Sequence, residues 1–431
     1  MRDAPLPRWA AYAIYFVLLL WAGLEILRSL DRLDGVVFLG YVQTGEAVLQ
    51  HKNPYGYALT LINTWPPFFF LVSGALALMA RASLLGALLV WQALGVAAIW
   101  GTLKLCAKLY LLDGDTLTFW PRDGRLSLVS MGVLVPFAMT LRLFQEHVQH
   151  TQINVQVLFL ALLAFDLFRR GKWAWGAWWL ALAVSVKALP VLLVLYLVYK
   201  RQWRAVAWTG VFLVALNAVL PAVVFGPAHA LADWQRWRAI SARGLLDPTP
   251  TAFNQSLLAA MKRILTTAGS ARDPVHYAIA AWPTARVAHL FEGLALLAAG
   301  ALAWAWRRHP ADLPEPTTSG SMAELAVGLG AMIIVDPLAW KAHYVTLIAA
   351  YFLVFRELRQ RFSHQGDPRW VWWWLSFACL TLSAPVFVGN RVNDVLESWN
   401  VILVGAGIVV GLGLWASTAT EGRKDGRGIL T

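Results

Sequence analysis

Residues 9–30 read WAAYAIYFVLLLWAGLEILRSL. A helix needs about 20 apolar residues to cross the hydrocarbon core of a bilayer, and this run supplies them. It is too long for the core of a signal peptide, and no small-residue cleavage site follows it. It therefore reads as a retained first transmembrane helix. Runs of the same kind recur along the chain, near 66–80, 84–108, 126–144, 153–168, 173–186, 188–199, 204–226, 285–306, 322–339, 343–358, 370–389 and 398–417. Between 173 and 199 the run is interrupted at Lys187-Ala188-Leu189-Pro190, where a charge and a proline break the helix. That stretch is either one kinked crossing or two short helices that meet. Merging it leaves about 12 transmembrane helices, an even count that puts both termini on one side. The fold class expected is an all-α polytopic membrane protein.

Composition agrees. Charged residues make up 14% of the 431 and hydrophobic ones 59%; soluble domains carry about 25% charged residues. The mean hydropathy is +0.57. Many of the 24 tryptophans end apolar runs, among them Trp9, Trp65, Trp340, Trp370 and Trp399. This suits an aromatic belt at headgroup depth. A net charge of +12 could suggest nucleic acid. The basic residues, however, gather in short loops at the ends of the runs, as membrane topology requires, so no nucleic-acid partner is expected. Cys106 and Cys379 lie in apolar stretches and read as small buried hydrophobes rather than a disulfide or metal pair.

The positive-inside rule assigns Lys200, Arg201 and Arg204 to the cytoplasm, with Arg307–His309, Arg356–Arg361 and the tail 418–431. The outer face then holds two long loops, 31–65 and 227–284, and the turn 336–343. Residues 36–49 have the pattern of an amphipathic helix on the membrane surface, and Asn53-Pro54-Tyr55-Gly56 makes a turn. A second short amphipathic piece runs from Asn254 to Ile264. There is no soluble domain and no repeat, so residues 1–431 read as a single integral membrane domain. The setting is a multi-pass cell (inner) membrane protein whose site faces the periplasm or the outside.

Polar residues at membrane depth are costly and are functional candidates by default. Asp31 and Asp34 follow the first run directly. Each reads either as a cap for the surface helix or as a general base whose pKa is raised by an apolar wall. Gln152 and Asn154 end a polar run, Gln145–Asn154, and enter an apolar segment, where their amides need partners such as sugar hydroxyls. Lys187 is either a snorkelling lysine or a contact for an anionic phosphate. Lys341 and His343 stand in the turn Asp336–Tyr344 and could face one phosphate. Asn254-Gln255-Ser256 begins the second surface helix, with Asn254 or Ser256 as its cap in the plain reading. Asp113-Gly114-Asp115 could be an Asp-x-Asp metal pair or an exposed turn. No phosphate-binding loop, dinucleotide motif or zinc spacing is present, which argues against an energy-coupled pump.

Read in order, these stretches resemble glycosyltransferase family 87 of the GT-C superfamily, the polyprenyl-phosphate-sugar-dependent transferases. Asp34-Gly35-Val36-Val37-Phe38 is similar to the family's acidic residue with an aromatic four places on. Asn53-Pro54-Tyr55 and Trp65-Pro66-Pro67-Phe68 resemble its "NPY…YPP" loop, with Trp65 in the Tyr place. Thr151-Gln152-Ile153-Asn154 resembles "GQxN", with Thr151 in the Gly place, and Lys187-Ala188-Leu189-Pro190 resembles "KxxP". Asn254-Gln255-Ser256-Leu257 and Asp336–His343 resemble "NQSL" and "SPxxWxHH", with Asp336 for Ser and Ala342 for the first His. The set covers roughly residues 30 to 345.

The resemblance implies a GT-C-like fold and a membrane hexosyltransferase. It would move a sugar, with mannose expected, from a polyprenyl-phosphate donor to a hydroxyl of a glycolipid, glycan or other acceptor, with inversion. It implies Asp34 as the base, with Asp31 as second choice, and Lys187, Lys341 and His343 at the donor phosphate. Trp65, Tyr55, Gln152, Asn154, Asn254 and Gln255 would hold sugar or lipid. No cofactor is expected beyond the lipid-linked co-substrate, and no divalent metal if cationic side chains stabilise the leaving phosphate. Membrane lipids complete the partners. A lipid or solute transporter or flippase is the rival. It predicts internal repeats with matched broken helices, and the Lys187–Pro190 break has no counterpart elsewhere in the chain. A non-catalytic scaffold would need none of these polar residues.

Overall fold

The structure is a computed structural model. It describes residues 8–31, 37–56, 64–111, 118, 127–246, 251–267, 275, 277–307, 319–361 and 367–422. Asp34, Asp113 and Asp115 lie outside the described residues, as does the side chain of Asp31.

Among the described residues, twenty α-helices follow one another. They are α1 Arg8–Asp31, α2 Val37–Leu49, α3 Phe69–Ala82, α4 Leu84–Tyr110, α5 Met131–Met139, α6 Leu141–Gln149 and α7 Asn154–Arg169. Next come α8 Trp173–Val186, α9 Val191–Tyr199, α10 Trp203–Val214, α11 Leu220–Phe225, α12 Pro227–Leu246, α13 Leu257–Leu265 and α14 Thr284–Trp306. The last are α15 Ser319–Ile334, α16 Ile348–Arg361, α17 Arg369–Phe377, α18 Pro385–Val388, α19 Asn390–Ser398 and α20 Val401–Gly422. Residues Ala215–Val219 and Ala378–Leu382 form π-helical turns, and Lys341–Leu347 a 3-10 helix. The described residues contain no β-strand, only an isolated bridge between Thr118 and Ser127. The all-α expectation holds.

Among the described residues, five helical stretches are long and apolar enough to cross a membrane: Trp9–Leu30, Leu84–Tyr110, Trp203–Phe225, Thr284–Trp306 and Val401–Thr418. Phe69–Ala82, Trp173–Val186 and Ser321–Ile334 are shorter apolar helices. Several expected runs are broken rather than continuous. The run 126–144 is not one helix: it becomes α5 and the start of α6, with Thr140 between them. The Thr140 hydroxyl donates to the Pro136 and Phe137 carbonyls, both at 3.1 Å, and Pro136 has no N–H to give the ladder. The run 370–389 is likewise divided into α17, a π turn and α18. At Lys187–Pro190 the chain stops being helical. Lys187 is extended (φ −145°, ψ 123°) and Pro190 caps α9. A nine-residue helix such as α9 is about 14 Å long, roughly half the hydrocarbon core.

The described residues form two compact units, one of residues 1–14, 103–144 and 244–431, the other of 15–102 and 145–243. In the second unit α2 lies against α3 so closely that a Cβ on Gly45 would fall 2.0 Å from the Ser73 carbonyl oxygen. Glu46 and Arg81 join the same two helices through two hydrogen bonds of 2.8 and 2.7 Å. The helix expected at 36–49 is therefore present, with Phe38, Tyr41 and Val48 buried. In this unit α8 packs between α7 and α10. Asn217, in the first π turn, donates to Ser185 Oγ at 2.6 Å.

In the first unit α15, α16 and α17 pack around α20. Gly405 of α20 admits the second π turn, since a Cβ there would lie 2.8 Å from Cys379 and Leu380. Cys106 and Cys379 are buried and free, as the apolar reading expected.

Candidate functional site

In the 15–102/145–243 unit the polar run after α6 folds into a tight turn. Thr151 takes a left-handed backbone, φ 51°, a region that β-branched residues rarely adopt. The turn is held by its neighbours. Thr151 N–H donates to the Val148 carbonyl at 3.2 Å and Gln152 N–H to that of His147 at 3.0 Å. Trp91 Nε1 donates to the Thr151 carbonyl at 2.9 Å. The Thr151 hydroxyl accepts from Phe38 N–H at 3.1 Å, and Val37 N–H reaches the His150 carbonyl at 3.3 Å. Two of the free donors at the start of α2 are thus satisfied.

This turn presents Gln152 and Asn154, both buried. Asn154 Oδ1 accepts from Lys187 Nζ at 2.6 Å, and Asn154 Nδ2 donates to Gln152 Oε1 at 3.4 Å. Three of the residues singled out in the sequence are therefore brought together: an ammonium at a helix break, and two amides at a helix start. His147, 2% exposed, lies nearby. Burial, with the Lys187 charge acting in the same direction, lowers it from its ordinary 6.5 to about 3, so its imidazole is neutral.

Tyr55 and Trp65 also meet. Tyr55 N–H donates to Asn53 Oδ1 at 3.0 Å, the turn expected at Asn53-Pro54, and the Tyr55 hydroxyl donates to the Trp65 carbonyl at 2.9 Å. Trp65 packs edge-on to Tyr41 at 4.7 Å between ring centroids. Burial raises the Tyr55 phenol, which stays neutral.

Sequence reading passed over Glu25, a buried carboxylate on α1. It accepts from Arg28 at 2.7 Å, from Gln145 at 3.1 Å, and from Gln149. A charge inside an apolar run was the available signal.

In the other unit, Asn254 and Gln255 lace the turn at 336–344 to the start of α13. Asn254 Oδ1 accepts from Ser256 and Ala339 N–H, both at 3.1 Å, and its Nδ2 donates to the Pro337 carbonyl at 3.0 Å. Gln255 N–H donates to the Ala339 carbonyl at 2.8 Å. The Tyr344 hydroxyl donates to the Gln255 carbonyl at 2.7 Å. Ser256 is the cap of α13, its Oγ accepting from Ala259 N–H at 3.1 Å, as the capping reading expected.

Lys341 Nζ lies 2.9 Å from Glu397 Oε1. The same carboxylate oxygen takes Arg142 at 2.7 Å, and Arg142 also donates to Ser383 and Asn393, each at 2.6 Å. His343 stacks on Trp340 with rings inclined by 15°, and its Nδ1 is 3.7 Å from Asp336 Oδ2. Arg142 and Glu397 were not found from the sequence. Arg142 interrupts an apolar run and could have been; Glu397 lies in an ordinary polar helix and carried no signal. Among the described residues no group of three or more His, Cys, Asp or Glu is placed to hold a metal ion.

A half-buried ammonium beside two buried amides, on a scaffold of apolar helices, suits an anionic and hydroxyl-rich ligand. The polyprenol-phosphate-mannose-dependent alpha-(1-2)-phosphatidylinositol pentamannoside mannosyltransferase of Mycobacterium tuberculosis (strain CDC 1551 / Oshkosh) is 26% identical over 346 residues, 77% of this chain and 68% of that one. No solved structure matches the chain. The pattern of glycosyltransferase family 87 matches residues 63–337. Since that match covers more than half of the sequence, and five long apolar helices accompany it, the chain belongs to glycosyltransferase family 87 and is a membrane glycosyltransferase.

Proposed function

We propose that this glycosyltransferase moves a mannosyl group from a polyprenyl-phosphate donor to a hydroxyl of a glycolipid acceptor. The transfer takes place on the extracytoplasmic side of the cell membrane, on a GT-C-type scaffold of about 12 crossings. The base is Asp34, with Asp31 as second choice. It takes the acceptor proton as the oxygen attacks the anomeric carbon, and the lipid phosphate departs from the opposite face, which inverts the centre. Lys187 meets the developing phosphate charge, with no metal. Gln152, Asn154, Trp65 and Tyr55 hold sugar or lipid. In the other unit, Lys341 and His343 are proposed as cationic contacts for a lipid phosphate, and Asn254 and Gln255 as the residues that shape the turn bearing them.

The observation that supports this reading most is the 2.6 Å contact that fixes the Lys187 ammonium at the α8–α9 break. An oriented cation costs no reorganisation when the phosphate leaves. The mycobacterial relative, dependent on polyprenol-phosphate-mannose, supports a lipid-linked sugar as donor and a glycolipid as acceptor. Membership of a glycosyltransferase family sets the transporter reading aside.

The test uses purified full-length protein with a short-chain polyprenyl-phosphate mannose and a phosphatidylinositol mannoside. The wild type is expected to form a mannosylated lipid with inverted configuration. Lys187→Met is expected to lower kcat/KM by about 10²-fold, the scale of losing one charge-stabilising donor. Unchanged kcat/KM in the variant removes Lys187 from the mechanism.

A further inference from the structure

Three helices of the 15–102/145–243 unit bring an imidazole and an amide together over a glycine. His147 is on α6, Gln156 on the first turn of α7 and Gly95 within α4. A Cβ placed on Gly95 would stand 3.5 Å from Gln156 Nε2 and 3.8 Å from His147 Nε2. Both nitrogens therefore border the space that the missing side chain leaves. Among the described residues, His147 Nδ1 and both amide atoms of Gln156 are buried without a hydrogen-bond partner. Buried polar atoms are nearly always paired. Of the three, Gln156 Nε2 itself borders the Gly95 space, Gln156 Oε1 belongs to the same amide, and His147 Nδ1 belongs to the ring whose Nε2 borders it. Two side chains with unmet bonding capacity that meet over a glycine mark a place for a group that completes their bonds.

The chemistry of that group follows from what the two side chains offer. A neutral imidazole has one N–H and one lone pair; the amide has an N–H₂ and a carbonyl oxygen. The ligand must both donate and accept. A phosphate or carboxylate only accepts, and would leave the Gln156 oxygen and the imidazole lone pair facing negative charge. An acyl or prenyl chain does neither. A hydroxyl does both.

We propose that His147 and Gln156, over Gly95, hold a hydroxyl of the sugar being transferred, and so contribute to donor specificity. The proposal rests on the reading of the chain as a polyprenyl-phosphate-sugar-dependent transferase. A hydroxyl-type oxygen could come from the sugar or from water. The sugar is favoured because Lys187, assigned to the donor phosphate, bonds Asn154 in the turn whose Gln152 N–H donates to the His147 carbonyl at 3.0 Å, and the sugar hangs directly on that phosphate.

Two variants of the full-length protein test this. Gly95→Ala puts a methyl into the space at ordinary contact distances of 3.5 and 3.8 Å. It fills the niche without forcing the helices apart. Gln156→Met removes the amide at similar length. Gly23→Ala, where nothing lies within 4 Å, is the control for folding, read by size exclusion and thermal unfolding. If Gly95→Ala fails to fold, Gln156→Met decides.

The measurement is kcat/KM with a short-chain polyprenyl-phosphate mannose and its monodeoxy forms. One monodeoxy donor is expected to lose roughly 10- to 100-fold on the wild type, the range for leaving a buried polar group unpaired. Both variants are expected to lose a similar factor on the complete sugar and no more on that one donor, the signature of a shared interaction. Variants that rank every donor as the wild type does overturn the proposal and assign the niche to water. A wild type that transfers none of these sugars overturns the donor assignment itself, and this proposal with it.

Discussion

Thr151 holds a backbone conformation, φ 51°, that costs an L-residue about 1–2 kcal/mol. Its hydroxyl offsets the strain by accepting from Phe38 N–H at the head of α2, a capping bond worth about 0.5–2 kcal/mol. Glycine at this position would relieve the strain and lose the cap; alanine would lose the cap and keep the strain. Thermal unfolding in detergent should therefore show Thr151→Gly close to the wild type and Thr151→Ala less stable by about 1 kcal/mol. An alanine variant as stable as the wild type would show that the hydroxyl contributes nothing. His147 gives a pH dependence. Its folded value, about 3, lies below its ordinary 6.5, so the unfolded chain binds the proton more readily. Stability is full above pH 6.5 and is lost as pH falls from 6.5 towards 3. His147→Gln should unfold with a flatter pH dependence over that window, and an identical slope would exclude His147 as its source.

At the level of elements, short polar helices bind the longer ones together. Glu397, on α19, joins Arg142 of α6 to Lys341 at the start of the 3-10 turn, and both Arg142 and Glu397 are buried. Removing one partner of a buried pair leaves the others uncompensated and costs about 3–5 kcal/mol. Glu397→Ala should lower the thermal midpoint sharply, and Glu397→Gln, which keeps an acceptor for Arg142, should lower it less. Equal midpoints for Glu397→Ala and the wild type would mean that solvent or lipid replaces the pair.

For the molecule as a whole, the all-helical class and the membrane-crossing helices could be read from apolar runs such as Trp9–Leu30 and Val401–Thr418, because length and uniform hydrophobicity are local properties. The break at Pro190 was legible for the same reason. The break at Thr140 was not: a threonine in an apolar run gives no warning that its hydroxyl will bond back to Pro136 and Phe137. Neither was the Arg142–Glu397 pair, whose members are 255 residues apart. Lys187 and Asn154, 33 residues apart, were each suspected from their polarity in apolar surroundings, but their contact needed the turn at Thr151. The buried atoms of Gln156 became visible only with the packing of α4, α6 and α7.

The central claim is that an outer-face carboxylate activates the acceptor for attack on a lipid-borne mannose. The most direct test compares wild type and Asp34→Asn in transfer of radiolabelled mannose from a polyprenyl-phosphate donor to a phosphatidylinositol mannoside, with protein folding matched by size exclusion. The account predicts transfer by the wild type and a fall in kcat of about 10²–10⁴-fold in the variant, the range for losing a general base, with donor KM little changed. Full activity in Asp34→Asn would contradict it.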